Sequence, residues 1–285
     1  MIYRYLPEQL HPTADAVMQF FRDSRGLRKM KIEEELEGTT LGYRPALHEL
    51  TREGYYVSVD VKESPFSTTL EAVVSDCMQR SLPVKLFVAF PASSEIQDYR
   101  RLLGRAREKG VGVIEVADAG CQILYEALAL SLIGVRPIDK KSFPPKFRLA
   151  LSDAEATFRT SPEKGCSLIY DEIEALSRKI AAKTKAKGLW KSPPPGKRLP
   201  QTNLETGNWA RAIDTLMNWL DWNKCGYLRD CLRRVQSVIP YRNESGHKPR
   251  TAAARIKRDR ELKTRFEAAS DMLRDLIVAA RPLRL

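Results

Sequence analysis

The sequence predicts a two-part chain, an α/β domain with a mixed sheet followed by an all-α helical bundle. Three observations carry that expectation. The 285 residues exceed one average domain of about 100–200 residues. Alternating and apolar strand signals interleave with helical ones up to about residue 135 and largely vanish beyond it. Charge divides at the same place: residues 1–137 hold 17 lysines and arginines against 19 acidic residues, a net of −2, whereas residues 138–285 hold 31 against 17, a net of +14. The expected boundaries are therefore 1–137 for the α/β domain, 138–149 for a linker and 150–285 for the bundle.

The first domain opens with helical periodicity over roughly 12–37, its second segment ending in the acidic run Glu33, Glu34, Glu35 and Glu37. "GYRPALHEL", "TREG" and "YYVSVDVKES" read as strand, turn and strand, with Gly54 supplying the turn and Val57, Val59 and Val61 on one face. A helix at about 67–81 leads into the apolar strand "VKLFVAFP". A second, at 95–109, leads into "VGVIEVAD", and "CQILYEALALSLIGV" reads as a last helix. Strands alternating with helices of this length call for parallel crossovers. The proline-broken stretch "RPIDKKSFPPKF" reads as the linker.

In the second domain, Leu168, Ile169, Ile173, Leu176 and Ile180 recur at helical spacing, and three further helices follow at "WARAIDTLMNWLDW", "YLRDCLRRVQSVI" and 251–281. Four amphipathic helices make a bundle. Trp209, Trp219 and Trp222 fall on one of them as core residues, and Trp190, beside the proline loop, is the candidate for stacking on a base.

No apolar run approaches the roughly 18–20 residues of a membrane span, and the opening MIYRYLPEQL lacks a signal-peptide pattern, so a soluble, cytoplasmic protein without membrane contact is expected. Five scattered cysteines without CxxC spacing read as free thiols. A net charge of +12 concentrated in one half makes nucleic acid the first partner to consider.

Two constellations carry chemistry. The first is Asp60 and Lys62, which project from the same face of a strand. With the order helix, hairpin, "DVK", helix, strand, residues 12–120 resemble the restriction-endonuclease-like fold, whose nucleases add an aspartate on the preceding strand so that two carboxylates hold a divalent metal. Here that place falls on Ala46. The expected hairpin sets Asp60 opposite Pro45 and Glu49 level with Tyr56, roughly 13 Å away at the usual strand rise. Glu35 and Glu37 remain as acids that could swing in from the helix. The expectation is an inactive domain that senses a trigger or docks a partner. The alternative is a Mg²⁺-dependent DNA nuclease acting through Asp60 and Lys62.

The second constellation is Arg242, Asn243 and His247 in "YRNESGHKP", placed after the third helix and before a long fourth one. An arginine, a following polar residue and a histidine five residues on, within a four-helix bundle, resemble the HEPN superfamily, over about 150–285. The resemblance implies a metal-independent ribonuclease without cofactor, of prokaryotic defence or toxin type, pairing two such domains as a homodimer around one cleft. His247 would act as acid or base, Arg242 would hold the phosphorane and Asn243 would orient. Products would be a 2′,3′-cyclic phosphate and a 5′-hydroxyl. Arg233, Arg234, Lys248, Arg250, Arg255, Lys257 and Arg258 are the expected RNA-backbone contacts. A third reading is a non-catalytic adaptor that binds RNA or protein.

Overall fold

A computed structural model describes residues 3–92, 96–193, 207–242 and 249–284. They divide into two units: those within 1–135 and 247–261, and those within 136–246 and 262–285.

The first unit is built on a six-stranded mixed sheet in sequential order. Its strands are β1 (Lys31–Ile32), β2 (Leu47–Leu50), β3 (Tyr56–Val61), β4 (Val84–Pro91), β5 (Gly112–Ala117) and β6 (Gly120–Tyr125). β1–β2–β3 are antiparallel, β3–β4–β5 parallel, and β6 returns antiparallel to β5. The parallel steps follow from the helices between them, α2 (Thr68–Gln79) and α3 (Tyr99–Glu108). Alternation then sorts the faces. Val57, Val59 and Val61 point to α1 (His11–Arg25), meeting Ala14, Val17, Met18 and Phe21. Leu86, Val88 and Phe90 point to α2, meeting Leu70, Val73 and Val74. Ser67 caps α2 by accepting from the Leu70 amide.

The second unit holds α4 (Pro145–Thr160), α5 (Pro162–Ala186), α6 (Trp209–Trp219), α7 (Trp222–Cys225), α8 (Arg229–Arg242) and most of α9 (Ala252–Ala279), whose opening turns belong to the first unit. Helices α4 and α5 approach closely at Gly165, where an added Cβ would lie 2.4 Å from Phe158 Cα. The Phe158 and Phe266 rings meet at 4.3 Å.

Several expectations are corrected. Residues 26–37 are not a second helix. Gly26, at φ +66°, ends α1, and Glu33, at φ +49°, turns its carboxylate onto the amides of Arg4, Tyr5 and Leu6. "CQILY" lies in strand β6, because a tight hairpin after β5 pairs it along the sheet edge. The double proline of the expected linker starts α4, with Pro145 at the first helical position, where a missing N–H costs nothing. The helix expected at "YLRDCLRRVQSVI" continues through Pro240 to Arg242 as α8. Trp222 lies on α7, separated from Trp209 and Trp219 by a break at Leu220. Trp190 is 7% exposed and donates its indole N–H to Thr184 Oγ1 at 3.2 Å, so its ring faces the core, not a nucleobase. All five cysteines are free, and no helix among the described residues is long and apolar enough to cross a membrane.

Candidate active site

Helix α8 sets the direction of Arg242. Leu232, Val235 and Ile239 are its buried residues, and Arg242 continues their spacing by a further three, so it lies on the core-facing stripe. Arg242 is itself exposed, and its side chain lies against groups of α5 and α6. Nε and Nη2 meet Asp171 Oδ1 at 3.3 and 3.1 Å, and Nη1 pairs with Glu174. Its guanidinium carbon lies 5.6 Å from the centre of the Trp209 ring.

The groups around Arg242 are themselves fixed. Asp171, Glu174 and Arg178 recur at i, i+3 and i+7 on α5 and share one face. Arg178 Nε donates to Glu174 Oε1 at 2.8 Å, and its Nη2 donates to the Gly207 carbonyl at 2.7 Å. Trp209 donates its indole N–H to Ser177 Oγ at 2.9 Å, in the core. Three helices therefore converge on one guanidinium, with two carboxylates balanced by two arginines. Glu174 is shielded at 12% side-chain exposure, while Asp171 is open at 51%.

Asn243, His247 and Lys248 lie outside the described residues. Of the expected RNA contacts, Arg233 and Arg234 are exposed on α8, and Arg234 pairs with Asp275 at 2.6 Å. Arg250 and Lys257 are exposed in the first unit, and Arg258 is half-buried beside Glu261 at 3.7 Å. Arg255 is a correction. It is 4% exposed, with Nε 2.7 Å from Asp259 and its guanidinium 4.2 Å above the Tyr55 ring, so it is committed to the core of the first unit. Arg233 and Arg234 belong to the second unit, and Arg250, Arg255, Lys257 and Arg258 to the first.

Sequence reading missed three residues here. Asp171 and Glu174 lie about 70 residues before Arg242, and nothing local ties them to it. Tyr241 is exposed with Arg265 stacked 4.1 Å above its ring, an aromatic surface that an alternation scan passes over.

In the first unit, Asp60 and Lys62 do share a face and pair at 3.5 Å. They line a cavity of about 470 Å³ together with Glu33, Arg44, Glu63 and Ser67. Burial raises the Asp60 carboxyl above its ordinary value, against the pull of Lys62. The hairpin register is shifted by one from expectation, with Glu49 opposite Val57, and Glu49 accepts from the Lys29 amide at 2.7 Å. Glu37 accepts from the Tyr56 hydroxyl at 2.9 Å, and Glu35 lies 3.9 Å from Arg44. Glu33 and Glu63 reach the cavity beside Asp60, and the two oxygens of Glu33 are taken by three backbone amides. Among the described residues no three His, Cys, Asp or Glu side chains gather as a metal site. These residues do not fit a catalytic divalent ion.

Comparison with protein-family models, with curated proteins and with solved structures gives no match to this chain.

Proposed function

We propose that the chain is a metal-independent endoribonuclease of HEPN type, with Arg242, Asn243 and His247 as its working residues. The observation that carries this reading is the placement of Arg242 on α8, in step with the buried residues of that helix and held by Asp171, Glu174 and Trp209 from two other helices. A guanidinium held in this way is suited to stabilising charge that develops on a phosphate, since its orientation costs nothing at the moment of reaction. In RNA the ribose 2′-hydroxyl attacks the adjacent phosphate, and the 5′-oxygen leaves with a proton. An imidazole at His247 is suited to one of the two proton transfers. The ends formed are a 2′,3′-cyclic phosphate and a 5′-hydroxyl. Arg233, exposed on the same helix, supports a role in tracking the RNA backbone, and Tyr241 offers a ring on which a base could stack.

The sheet unit, in this reading, is a restriction-endonuclease-like domain that senses or docks. Its order of helix, three antiparallel strands, helix and parallel strand supports the likeness. The engagement of Glu33 with backbone amides weighs against a Mg²⁺-dependent nuclease at Asp60 and Lys62. A prokaryotic defence or toxin role in the cytoplasm, with a homodimer as the working form, is the context this reading implies.

The test is cleavage of total RNA and duplex DNA in EDTA and in Mg²⁺, with His247→Ala and Asp60→Ala in parallel. The proposal expects RNA cleavage that survives EDTA, leaves 2′,3′-cyclic ends and disappears with His247→Ala. Mg²⁺-dependent cleavage lost only with Asp60→Ala would move the site to the sheet unit. RNA binding without cleavage under either condition would make the protein an adaptor.

A further inference from the structure

Over much of the second unit cations stand beside acids: Arg136 beside Asp271, Lys140 beside Glu155, Arg178 beside Glu174 and Arg234 beside Asp275. One end of the unit departs from that pattern. Beyond Arg178, the stretch 175–191 carries Lys179, Lys183, Lys185, Lys187 and Lys191 with no aspartate or glutamate, and 276–285 carries Arg281 and Arg284 with none. The fold joins the two stretches. Lys187 Nζ donates to the Pro282 carbonyl at 3.2 Å, which sets the end of α5 against the turn Arg281–Leu283. Gly188, at φ +63°, turns the chain after α5; Lys185 Nζ then lies 5.7 Å from the centre of the Trp190 ring, and Lys191 Nζ donates to the Asn218 carbonyl at 3.0 Å. Lys179, Lys185, Lys187, Lys191, Arg281 and Arg284 are exposed, and Lys183 is half-buried. Among the described residues none of these seven pairs with a carboxylate.

A helix C-terminus favours cations, which accounts for Lys183 and Lys185 in the last turn of α5, but Lys187, Lys191, Arg281 and Arg284 lie beyond that helix. Like charges gathered this closely repel one another, and a polyanion relieves the repulsion. Lys179, Lys183 and Lys187 recur at i+4, about 6 Å apart at 1.5 Å per residue, a row of point charges that suits a continuous phosphate backbone better than a single phosphate. An anionic membrane fits less well. No large apolar side chain from 179 to 191 is exposed, and a helix that lies on lipid needs an apolar face to sink into it.

We infer that this end of the second unit, from Lys179 to Lys191 with Arg281 and Arg284, is a docking surface for the RNA backbone; the choice of RNA as the polyanion rests on the ribonuclease reading above. Lysine predominates, and an ammonium meets phosphate as a point charge without the fixed fork that reads a base edge, so the contact is independent of sequence. Helix α5 links the surface to the candidate site. Asp171, which holds Arg242, lies 12 residues before Lys183 on that helix, about 18 Å along its axis. A strand docked on the lysines is thereby held within a few nucleotides of Arg242.

The experiment is binding of a single-stranded 2′-O-methyl RNA oligonucleotide to the full chain between about 50 and 200 mM salt. Methylated riboses lack the nucleophile, so binding is read apart from cleavage. Wild type is compared with a triple variant, Lys183→Gln, Lys185→Gln and Lys187→Gln, and with a charge-matched triple at exposed lysines elsewhere in the unit, Lys141→Gln, Lys146→Gln and Lys164→Gln. Three phosphate contacts at about 0.7 each should make the slope of log K against log salt shallower by about 2 in the first triple, so the intact chain loses about 18-fold more affinity than this variant across that range. The charge-matched triple should keep the wild-type slope. Glutamine has nearly the helix propensity of lysine, so thermal unfolding should be unchanged; if the triple does lower Tm, the single Lys185→Gln and Lys187→Gln variants carry the test, each with a slope shallower by about 0.7. An unchanged slope in the first triple, or an equal fall in both, overturns the inference. So does RNA binding that stays intact while the first triple alone loses binding to phosphatidylserine vesicles, which would assign the surface to lipid. A fall confined to the first triple, with no cleavage of unmethylated RNA by the intact chain, defeats the ribonuclease reading and leaves the RNA surface standing. No binding of the probe by the intact chain overturns both.

Discussion

Replacing Asp259 by alanine removes the acceptor on which three parts of the first unit close. The Asp259 carboxylate, 1% exposed, accepts from Arg255 Nε at 2.7 Å, from the Tyr55 hydroxyl at 3.1 Å and from the Ser131 hydroxyl. In the same segment Ala252 and Ile256 pack, partly buried, against the sheet's α2 side. Docking of residues 249–261 therefore depends on this polar cluster. Removing one partner of a buried ion pair costs about 3–5 kcal/mol, because the remaining charge stays desolvated. Each stranded hydroxyl adds about 1–3 kcal/mol unless water fills the space the aspartate leaves. With water admitted, the net expectation is about 4 kcal/mol, a large share of the 5–15 kcal/mol typical of a domain. Amide hydrogen exchange of peptides covering 250–261 reads this directly: about 4 kcal/mol is roughly a 10³-fold loss of protection, localised to that segment if the rest of the sheet stays folded. The double replacement Arg255→Met with Asp259→Leu should recover most of the loss, since apolar side chains of similar size remove the charge and its cost together. A cost below about 1 kcal/mol for Asp259→Ala, or a double variant as unstable as the single one, would refute the reasoning.

Two further outcomes follow from local geometry. Burial raises the Asp60 carboxyl above its ordinary 3.8, so the folded chain binds that proton more tightly than the unfolded one. Its contribution to stability is full below the unfolded value and is lost as pH rises through the folded one, so Asp60→Asn should raise Tm at pH 7 and lose that advantage near pH 4. An equal effect at both pH values would contradict the sign. Gly165→Ala should destabilise despite alanine's better helix propensity, because the new methyl group meets Phe158 backbone atoms at 2.4–2.6 Å that cannot swing away. An overpacking cost of about 1–3 kcal/mol exceeds the gain of about 0.5–1 kcal/mol, and urea denaturation showing net stabilisation would mean α4 and α5 separate easily.

How much was legible varied with how local the cause was. Val57, Val59 and Val61 announced β3 by alternating with Ser58 and Asp60, although all six residues of the strand are buried, and "VKLFVAFP" announced β4 because a strand covered on both faces is largely apolar. "CQILYEALALSLIGV" misled because a short apolar run serves a strand or a helix equally, and pairing along β5 decided it. The prolines before "KFRLALSDAEATF" marked a break correctly, but a helix start and a linker look alike until the residues beyond find partners.

The same division holds at the candidate site. The sequence by itself determined the sheet-forming first half and the basic helical second half, since composition and periodicity are properties of neighbouring residues. Only tertiary structure decided that Asp171 and Glu174 stand against Arg242, that Arg255 is a core residue and not an RNA contact, and that Glu33 reaches the cavity instead of Glu35 or Glu37. Each of those outcomes turns on which remote group neutralises a charge once water is excluded, and a charge in a sequence carries no record of its partner.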